Sequence, residues 1–156
     1  MKTLIIYDSY FGNTEQIGLA IAKAFDTDTT VAKRTGEVNQ ADLEGVTHLI
    51  IGSPTRGFKP SDVTTAFLKN LPATLTGLKV ATFDTRIALE TIKSRFFRFV
   101  VNTGGYAAKT MANQLVRRKA KLLLPPEGFF VTGEQGPLKD GEKERAMAWG
   151  QQIANM

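Results

Sequence analysis

The residues best suited to ligand chemistry lie near the N-terminus, between an apolar run and a helical pattern. They combine hydroxyl, aromatic, glycine and amide residues, and they read Ser9, Tyr10, Phe11, Gly12, Asn13 and Thr14. Unpaired backbone N–H groups and the positive end of a helix dipole favour an anion at such a turn, and short side chains add donors. Gly12 lets the backbone adopt a left-handed turn and approach a ligand. The segment therefore predicts a phosphate-binding loop.

This first loop contains no lysine or arginine, so a phosphate held there would be bound by neutral donors. Such a site suits a tightly held cofactor better than a nucleotide that must exchange. The alternative is a polar connection in which Asn13 or Thr14 only caps the following helix. Both interpretations stay open on this segment alone, because glycine-containing turns are frequent between strands and helices.

A second loop lies between Pro54 and Pro60, which stiffen it, and it carries Arg56 and Phe58 as large side chains. One interpretation is a rigid wall for a flat ring. The other is a connection whose Phe58 packs beneath the loop. A third loop is expected from Asp84 onward, where another apolar strand is predicted to end.

These loops need a scaffold, and strand-like and helix-like segments alternate along the chain. Strands are predicted at residues 3–7, 29–32, 47–52, 79–83 and 121–132, the last interrupted at Pro125 and Pro126. Helices are predicted at residues 14–25, 40–44, 61–71, 105–119 and 141–155. The alternation predicts an α/β domain over residues 1–156, with a five-stranded parallel sheet in the order 2-1-3-4-5 and helices on both faces. Sheets of this kind bind ligands beyond the carboxyl ends of their strands, where the three loops would meet.

The composition excludes several kinds of site. The chain has 156 residues and no cysteine, which excludes disulfides, thiol catalysis and cysteine-based metal centres. His48 is the single histidine, expected as a solvated residue at the start of a strand, so neither a Ser–His triad nor a metal site is predicted. No apolar run reaches the about 18 residues of a membrane span, and no secretory leader is recognisable, so the expected location is the cytoplasm without membrane attachment.

The net charge is +5, and the basic residues form two clusters. The cluster at 117–121 closes a helical pattern, where cations complement the helix C-terminus, and is interpreted as structural. The cluster at 93–98 mixes arginine with phenylalanine inside a long connection, 87–104, which is expected to contain a helix. We expect this segment to face an acidic partner or a second subunit rather than nucleic acid. Monomer and homodimer both remain open.

Three motifs together resemble the flavodoxin family over nearly the whole chain. The first loop resembles the family's Ser/Thr-x-Thr-Gly-x-Thr, with Phe11 in place of the middle threonine, and is similar to the Ser-x-Phe-Gly-Asn-Thr of a branch of short flavodoxin-like proteins. Gly52-Ser53-Pro54-Thr55 resembles the segment after the third strand of flavin-binding members. The tail at 126–131 and 136–142 resembles the same branch, in which it completes the last strand and leads into the final helix.

The resemblance implies a flavodoxin-like three-layer sandwich with FMN as its cofactor. The implied FMN contacts are Ser9, Tyr10, Phe11, Gly12, Asn13 and Thr14 in the first loop, Pro54, Thr55, Arg56, Gly57 and Phe58 on one face of the isoalloxazine, and Asp84, Thr85 and Arg86 on the other side. Arg86 is either a loop cation near the basic cluster or a cation at the flavin N1/O2 edge that raises the flavin potential. The next tyrosine after it is Tyr106, so a ring on both flavin faces is not implied.

The implied function is a small redox protein whose flavin does the chemistry. It would carry electrons to a partner protein, or use NAD(P)H to reduce a small acceptor such as a quinone. Electron-shuttling flavodoxins are typically acidic, so the basic charge here implies a different partner. The alternative is a flavin-free interaction or regulatory module on the same fold. A phosphoacceptor domain does not fit, because the third predicted strand ends at Gly52-Ser53 without an aspartate.

Overall fold

The computed structural model of the chain describes residues 1–87 and 106–156. Its strands are β1 (Thr3–Tyr7), β2 (Thr30–Arg34), β3 (His48–Pro54), β4 (Lys79–Ile87), β5 (Lys121–Leu122) and β6 (Glu127–Val131). Its helices are α1 (Asn13–Ala22), α2 (Gln40–Leu43), α3 (Asp62–Lys69), α4 (Ala107–Arg117) and α5 (Glu142–Ala154), with a 3-10 turn at Thr35–Glu37. The basic cluster at 93–98 and the helix expected within 87–104 lie outside the described residues.

The strands form one parallel sheet in the order β2-β1-β3-β4-β5, with β6 also paired to β4. The predicted order 2-1-3-4-5 is confirmed. The fifth position is shared, because β5 pairs with the start of β4 and β6 pairs with its end. Pro125 and Pro126 lie between the two pieces, and proline cannot donate a hydrogen bond to a ladder.

Strand β4 is longer than the sequence predicts. The expected end at residue 83 is wrong, since Asp84, Thr85 and Arg86 continue the strand. Their backbone pairs with β6 on one side and, as far as Thr85, with β3 on the other. The polar residues expected in a loop therefore stand in a strand, and the third loop begins after Ile87.

Two apolar cores lie on opposite faces of the sheet, which confirms the three-layer arrangement. Ile5 of β1 packs with residues of α1 and α5, whereas its neighbours Leu4 and Ile6 pack with residues of α3 and α4. This alternation follows from the period of two along a strand. Gly150 of α5 allows close helix packing, because a Cβ there would lie 2.9 Å from the carbonyl oxygen of Ile21 in α1.

Three aromatic rings stabilise the carboxyl half of the sheet. Phe83, Phe129 and Trp149 pack edge to face, with ring centroids 6.1 to 6.2 Å apart. The Phe83 ring also lies over Gly52, where an added Cβ would come within 2.0 Å of a ring carbon. The core next to the carboxyl ends of β3 and β4 is therefore tightly packed.

The basic cluster at 117–121 contains a structural residue, as the sequence predicts. Arg118 Nη1 donates hydrogen bonds to the carbonyl oxygens of Leu68 and Leu71, the latter at 3.4 Å, at the end of α3. The guanidinium thus satisfies carbonyl groups that a helix end leaves without intrahelical partners. None of the helices in the described ranges is both long and apolar enough to cross a bilayer.

His48 is buried, so its expected exposure is wrong. Its side chain is 5% exposed. It lies between Thr3 of β1 and Lys79 of β4 in the sheet, and Lys79 Nζ donates to the carbonyl oxygen of Met156, so the chain end reaches this edge. Nδ1 is 2.8 Å from Thr47 Oγ1, and Nε2 is buried without a hydrogen-bond partner. Burial, and secondarily the charge on Lys79, lowers the pKa of His48 below its ordinary value of 6.5.

The buried histidine predicts a pH dependence of stability. Below its ordinary pKa of 6.5 the unfolded chain's histidine is protonated while the folded one stays neutral, so the unfolded state binds more protons. We expect the free energy of unfolding to fall as the pH drops below that value, by up to about 1.4 kcal/mol per pH unit for one proton. Urea unfolding of wild type and His48→Gln between acidic and neutral pH measures the difference. Parallel curves for the two proteins would contradict the prediction.

Candidate functional site

A cavity of about 340 Å³ opens at the carboxyl ends of β1, β3 and β4. Every predicted site residue lines it except Gly12, Phe58 and Asp84. The loops that are far apart in sequence therefore meet where the strand order reverses, which is the usual ligand crevice of an open parallel sheet.

The first loop leaves the start of α1 open toward this crevice. Gly12 precedes the helix in a left-handed conformation, with φ of 89°, and its N–H donates to Ser9 Oγ at 3.0 Å. No side chain caps the first turn, and the cap position is Gly12, so the expectation that Asn13 or Thr14 is the helix cap is wrong. The first N–H groups of the helix have no intrahelical partner. A helix start in this state favours an anion such as a phosphate.

Asn13 and Thr14 are buried and hold the loop in place. Asn13 Nδ2 donates to the carbonyl oxygen of Gln135 at 3.1 Å, and Thr14 Oγ1 is 2.8 Å from Thr85 Oγ1. Gly136 makes room for the Asn13 amide, because a Cβ there would lie 2.6 Å from it. These contacts tie the start of α1 to β4 and to the segment after β6.

Two arginines flank the first loop, although the loop itself has none. Arg34, at the end of β2, donates to the carbonyl oxygen of Ser9 at 3.2 Å and pairs with Glu15 at 3.1 Å. Arg56 of the second loop lies over the rings of Tyr10 and Phe11, at 4.9 and 5.8 Å from their centroids. Two guanidinium groups therefore lie beside a loop that contains no basic residue itself. The sequence could have indicated Arg34, because it lies at the carboxyl end of a strand that is predicted to pair with the first strand.

The second loop turns sharply after β3. The backbones of Arg56 and Lys59 exchange two hydrogen bonds of 2.9 and 3.2 Å, and the turn between them is left-handed at Gly57 and Phe58, with φ of 55° and 66°. A left-handed non-glycine residue costs roughly 1 kcal/mol or more. Phe58 is half-buried and lies outside the cavity lining, so the second loop presents Pro54, Arg56 and Gly57 rather than the phenylalanine ring.

Asp84 and Arg86 form an ion pair behind and beside the cavity. The Asp84 carboxylate is fully buried and accepts hydrogen bonds from Arg86 Nε at 2.6 Å, Arg86 Nη2 at 2.8 Å and the Ala108 N–H at 2.9 Å. Burial raises the pKa of Asp84, and these donors oppose the rise by stabilising the ionised form. Arg86 lines the cavity while Asp84 does not. Arg86 is thus the paired side chain of a strand residue, not a loop cation.

Three further cavity residues escape the sequence prediction: Ile87, Val131 and Glu134. Ile87 and Val131 end β4 and β6, and they face the same crevice because both strands end at the same edge of the sheet. The predicted end of the last strand, at residue 132, was a usable signal for Val131. Glu134 lies in the connection toward α5, where no periodic pattern marks it.

The residues that line this cavity are of kinds that suit an anion and a flat ring. Across residues 1–87 and 106–156, no group of three or more His, Asp or Glu side chains is arranged to hold a metal ion. The cavity combines backbone N–H groups, threonine hydroxyls, the guanidinium groups of Arg56 and Arg86, and the exposed rings of Tyr10 and Phe11.

Comparisons with known proteins agree with this architecture. No protein-family model and no curated protein matches the sequence. A solved flavodoxin from the domain Archaea superposes with a TM-score of 0.78 at 18% identity, covering 99% of this chain and 97% of that one. Oxidised flavodoxin 2 from Bacillus cereus gives 0.72 at 24% identity and 99% coverage of both chains. Rubredoxin oxygen:oxidoreductase from Desulfovibrio gigas gives 0.73 at 18% identity, covering 99% of this chain and 35% of that one. The chain therefore has the flavodoxin fold.

Proposed function

We propose that this protein binds FMN in the cavity at the carboxyl edge of the sheet and transfers electrons. The observation that carries the proposal is the start of α1, which follows the left-handed Gly12, has no side-chain cap and lies beside a cavity of about 340 Å³. The structural likeness to proteins named flavodoxins supports the same conclusion.

The donor set fits FMN. The N–H groups at the start of α1 and the flanking Arg56 suit the phosphate. Pro54, Gly57, Thr85 and Arg86 line the same cavity, and we place the planar ring against them. Bound FMN would supply the electron-transfer chemistry, and the chain would bind the flavin, orient it and exclude water from one side.

We infer that the electron partner is a protein of acidic surface, because the chain carries a net charge of +5. A second candidate is reduction of a small acceptor such as a quinone, with NAD(P)H as donor. The exposed rings of Tyr10 and Phe11 favour it, since they are 52% and 45% exposed beside the cavity and offer stacking surface to a planar ligand.

Reconstitution with FMN tests the proposal. We expect the purified protein to quench FMN fluorescence with one flavin per chain and to turn yellow, and anaerobic addition of NADH or NADPH then separates the two candidates. Bleaching by either nucleotide favours the reductase. A colourless protein that leaves FMN fluorescence unchanged would favour the flavin-free interaction module.

Gly12 provides a variant for the phosphate assignment. Valine at this position has open space for its Cβ but must adopt a φ of 89°, which costs about 1–3 kcal/mol and displaces the start of α1. We expect Gly12→Val to weaken FMN binding by about tenfold or more, measured by fluorescence quenching. Gly77→Val is the matched control, because Gly77 has a φ of 88° and equally open space but lies before β4, away from the cavity. Equal FMN affinity in the two variants would move the phosphate elsewhere.

A further inference from the structure

The Asp84–Arg86 pair points its positive end at the cavity. Asp84 is fully buried and outside the cavity lining, whereas the Arg86 side chain is 18% exposed and forms part of that lining. Both carboxylate oxygens face the guanidinium, at 2.6 and 2.8 Å. A ligand in the cavity therefore faces the Arg86 guanidinium, whose positive charge is partly neutralised by the buried Asp84 carboxylate.

The guanidinium is also fixed in position by its surroundings. It lies 3.6 Å from the centroid of the Tyr106 ring. The main chain of β6 approaches it at Gly128, where an added Cβ would lie 2.2 Å from guanidinium atoms. Stacking and two parallel hydrogen bonds together restrict a side chain that is otherwise among the most mobile. Arg86 is thus held at one place on the wall.

We propose that Arg86 contacts the flavin as a potential-setting cation, and that Asp84 acts through it as a positioning and charge-compensating residue. This inference rests on the proposed function. A reduced flavin carries negative charge, which a neighbouring cation stabilises relative to the oxidised form. Because the opposite charges of the pair lie within hydrogen-bond distance, each weakens the field of the other at the flavin. Removing the carboxylate charge and removing the guanidinium should therefore shift the flavin potential in opposite directions.

The experiment compares wild type, Asp84→Asn, Arg86→Met and the double variant, each loaded with FMN. The measured quantity is the midpoint potential, which reports the ratio of the dissociation constants of oxidised and reduced flavin. Asp84→Asn should favour reduced flavin by about tenfold, or about 30 mV for two electrons. Arg86→Met should favour oxidised flavin by a similar factor. The double variant should lie between the two single variants, because both charges are gone. Circular dichroism confirms that each protein is folded.

Gly128→Ala provides a version that changes no charge. Its Cβ occupies the guanidinium position, so Arg86 must move away while Asp84 and Arg86 both remain. We expect its potential to shift in the same direction as that of Arg86→Met. Gly36→Ala is the matched control, because the added Cβ there meets only a Val63 methyl at 3.9 Å. The Gly128→Ala result also stands if Arg86→Met fails to fold.

The outcomes distinguish failure of the role assigned to Asp84 and Arg86 from failure of the proposed FMN binding. If wild type binds FMN and the variants keep its potential, the proposed function stands and the pair has no role at the flavin. An Asp84→Asn potential equal to wild type would likewise remove the compensating role of Asp84. If wild type does not bind FMN at all, the proposed function is overturned, and this inference falls with it.

Discussion

Replacing Gly52 by alanine is expected to destabilise the protein by about 3 kcal/mol, the upper part of the range for overpacking a core. The added Cβ would lie 2.0, 2.4 and 2.5 Å from three carbons of the Phe83 ring, well inside van der Waals contact. Phe83 is completely buried, and its ring packs against Phe129 and Trp149. The ring has no room to move aside, so the strain falls on β3 and β4.

Chemical denaturation followed by far-ultraviolet circular dichroism measures this loss. Gly36→Ala serves again as the control, because its Cβ makes only ordinary contact and its φ is not left-handed. A Gly52→Ala midpoint equal to that of Gly36→Ala would show that the packing at β3 is looser than described.

Truncation of Trp149 to alanine is expected to cost about 3–5 kcal/mol, the usual range for removing a large buried aromatic side chain. Trp149 is 5% exposed, and its ring packs at 6.2 Å from Phe83 and 6.1 Å from Phe129, so its loss opens a cavity between α5 and the sheet. The two remaining rings also lose edge-to-face contacts that add about 0.5–1.5 kcal/mol per pair beyond burial.

Trp149→Phe is the informative comparison, because it keeps an aromatic ring at the same place in α5. Thermal unfolding monitored by circular dichroism should rank wild type above Trp149→Phe and Trp149→Phe above Trp149→Ala. The intrinsic fluorescence of wild type provides a second probe, since the chain contains one tryptophan. An alanine variant as stable as the phenylalanine variant would contradict the packing argument.

The strand order and the helix positions follow from patterns that are local in sequence. Leu4, Ile5 and Ile6 form a continuous apolar run typical of a strand covered on both faces, and the structure places them in β1 between the two cores. Alternation of such runs with helical patterns leaves few possible topologies, so the parallel order 2-1-3-4-5 was predictable.

The charged parts of the candidate site were less predictable, because their partners are distant in sequence. Asp84 looks like a loop residue on its own, and only Arg86, the Ala108 N–H and pairing with β6 make it a buried strand residue. Arg34 reaches the first loop only through the register of β2 against β1. His48 is polar and begins a strand, yet it is buried between the flanking strands β1 and β4. These contacts cannot be predicted from the residues adjacent in sequence.

The divided fifth position of the sheet also affects how readily another chain could pair with this edge. An uninterrupted outer strand would present a row of unpaired N–H and C=O groups to other chains. Here β5 has two residues, Pro125 and Pro126 interrupt the row, and a segment running antiparallel to β6 covers its far end, with the Lys139 N–H donating to the Phe130 carbonyl oxygen at 2.9 Å. Among the described residues, this edge therefore offers only short stretches of unpaired backbone, which protects it against strand addition by another chain.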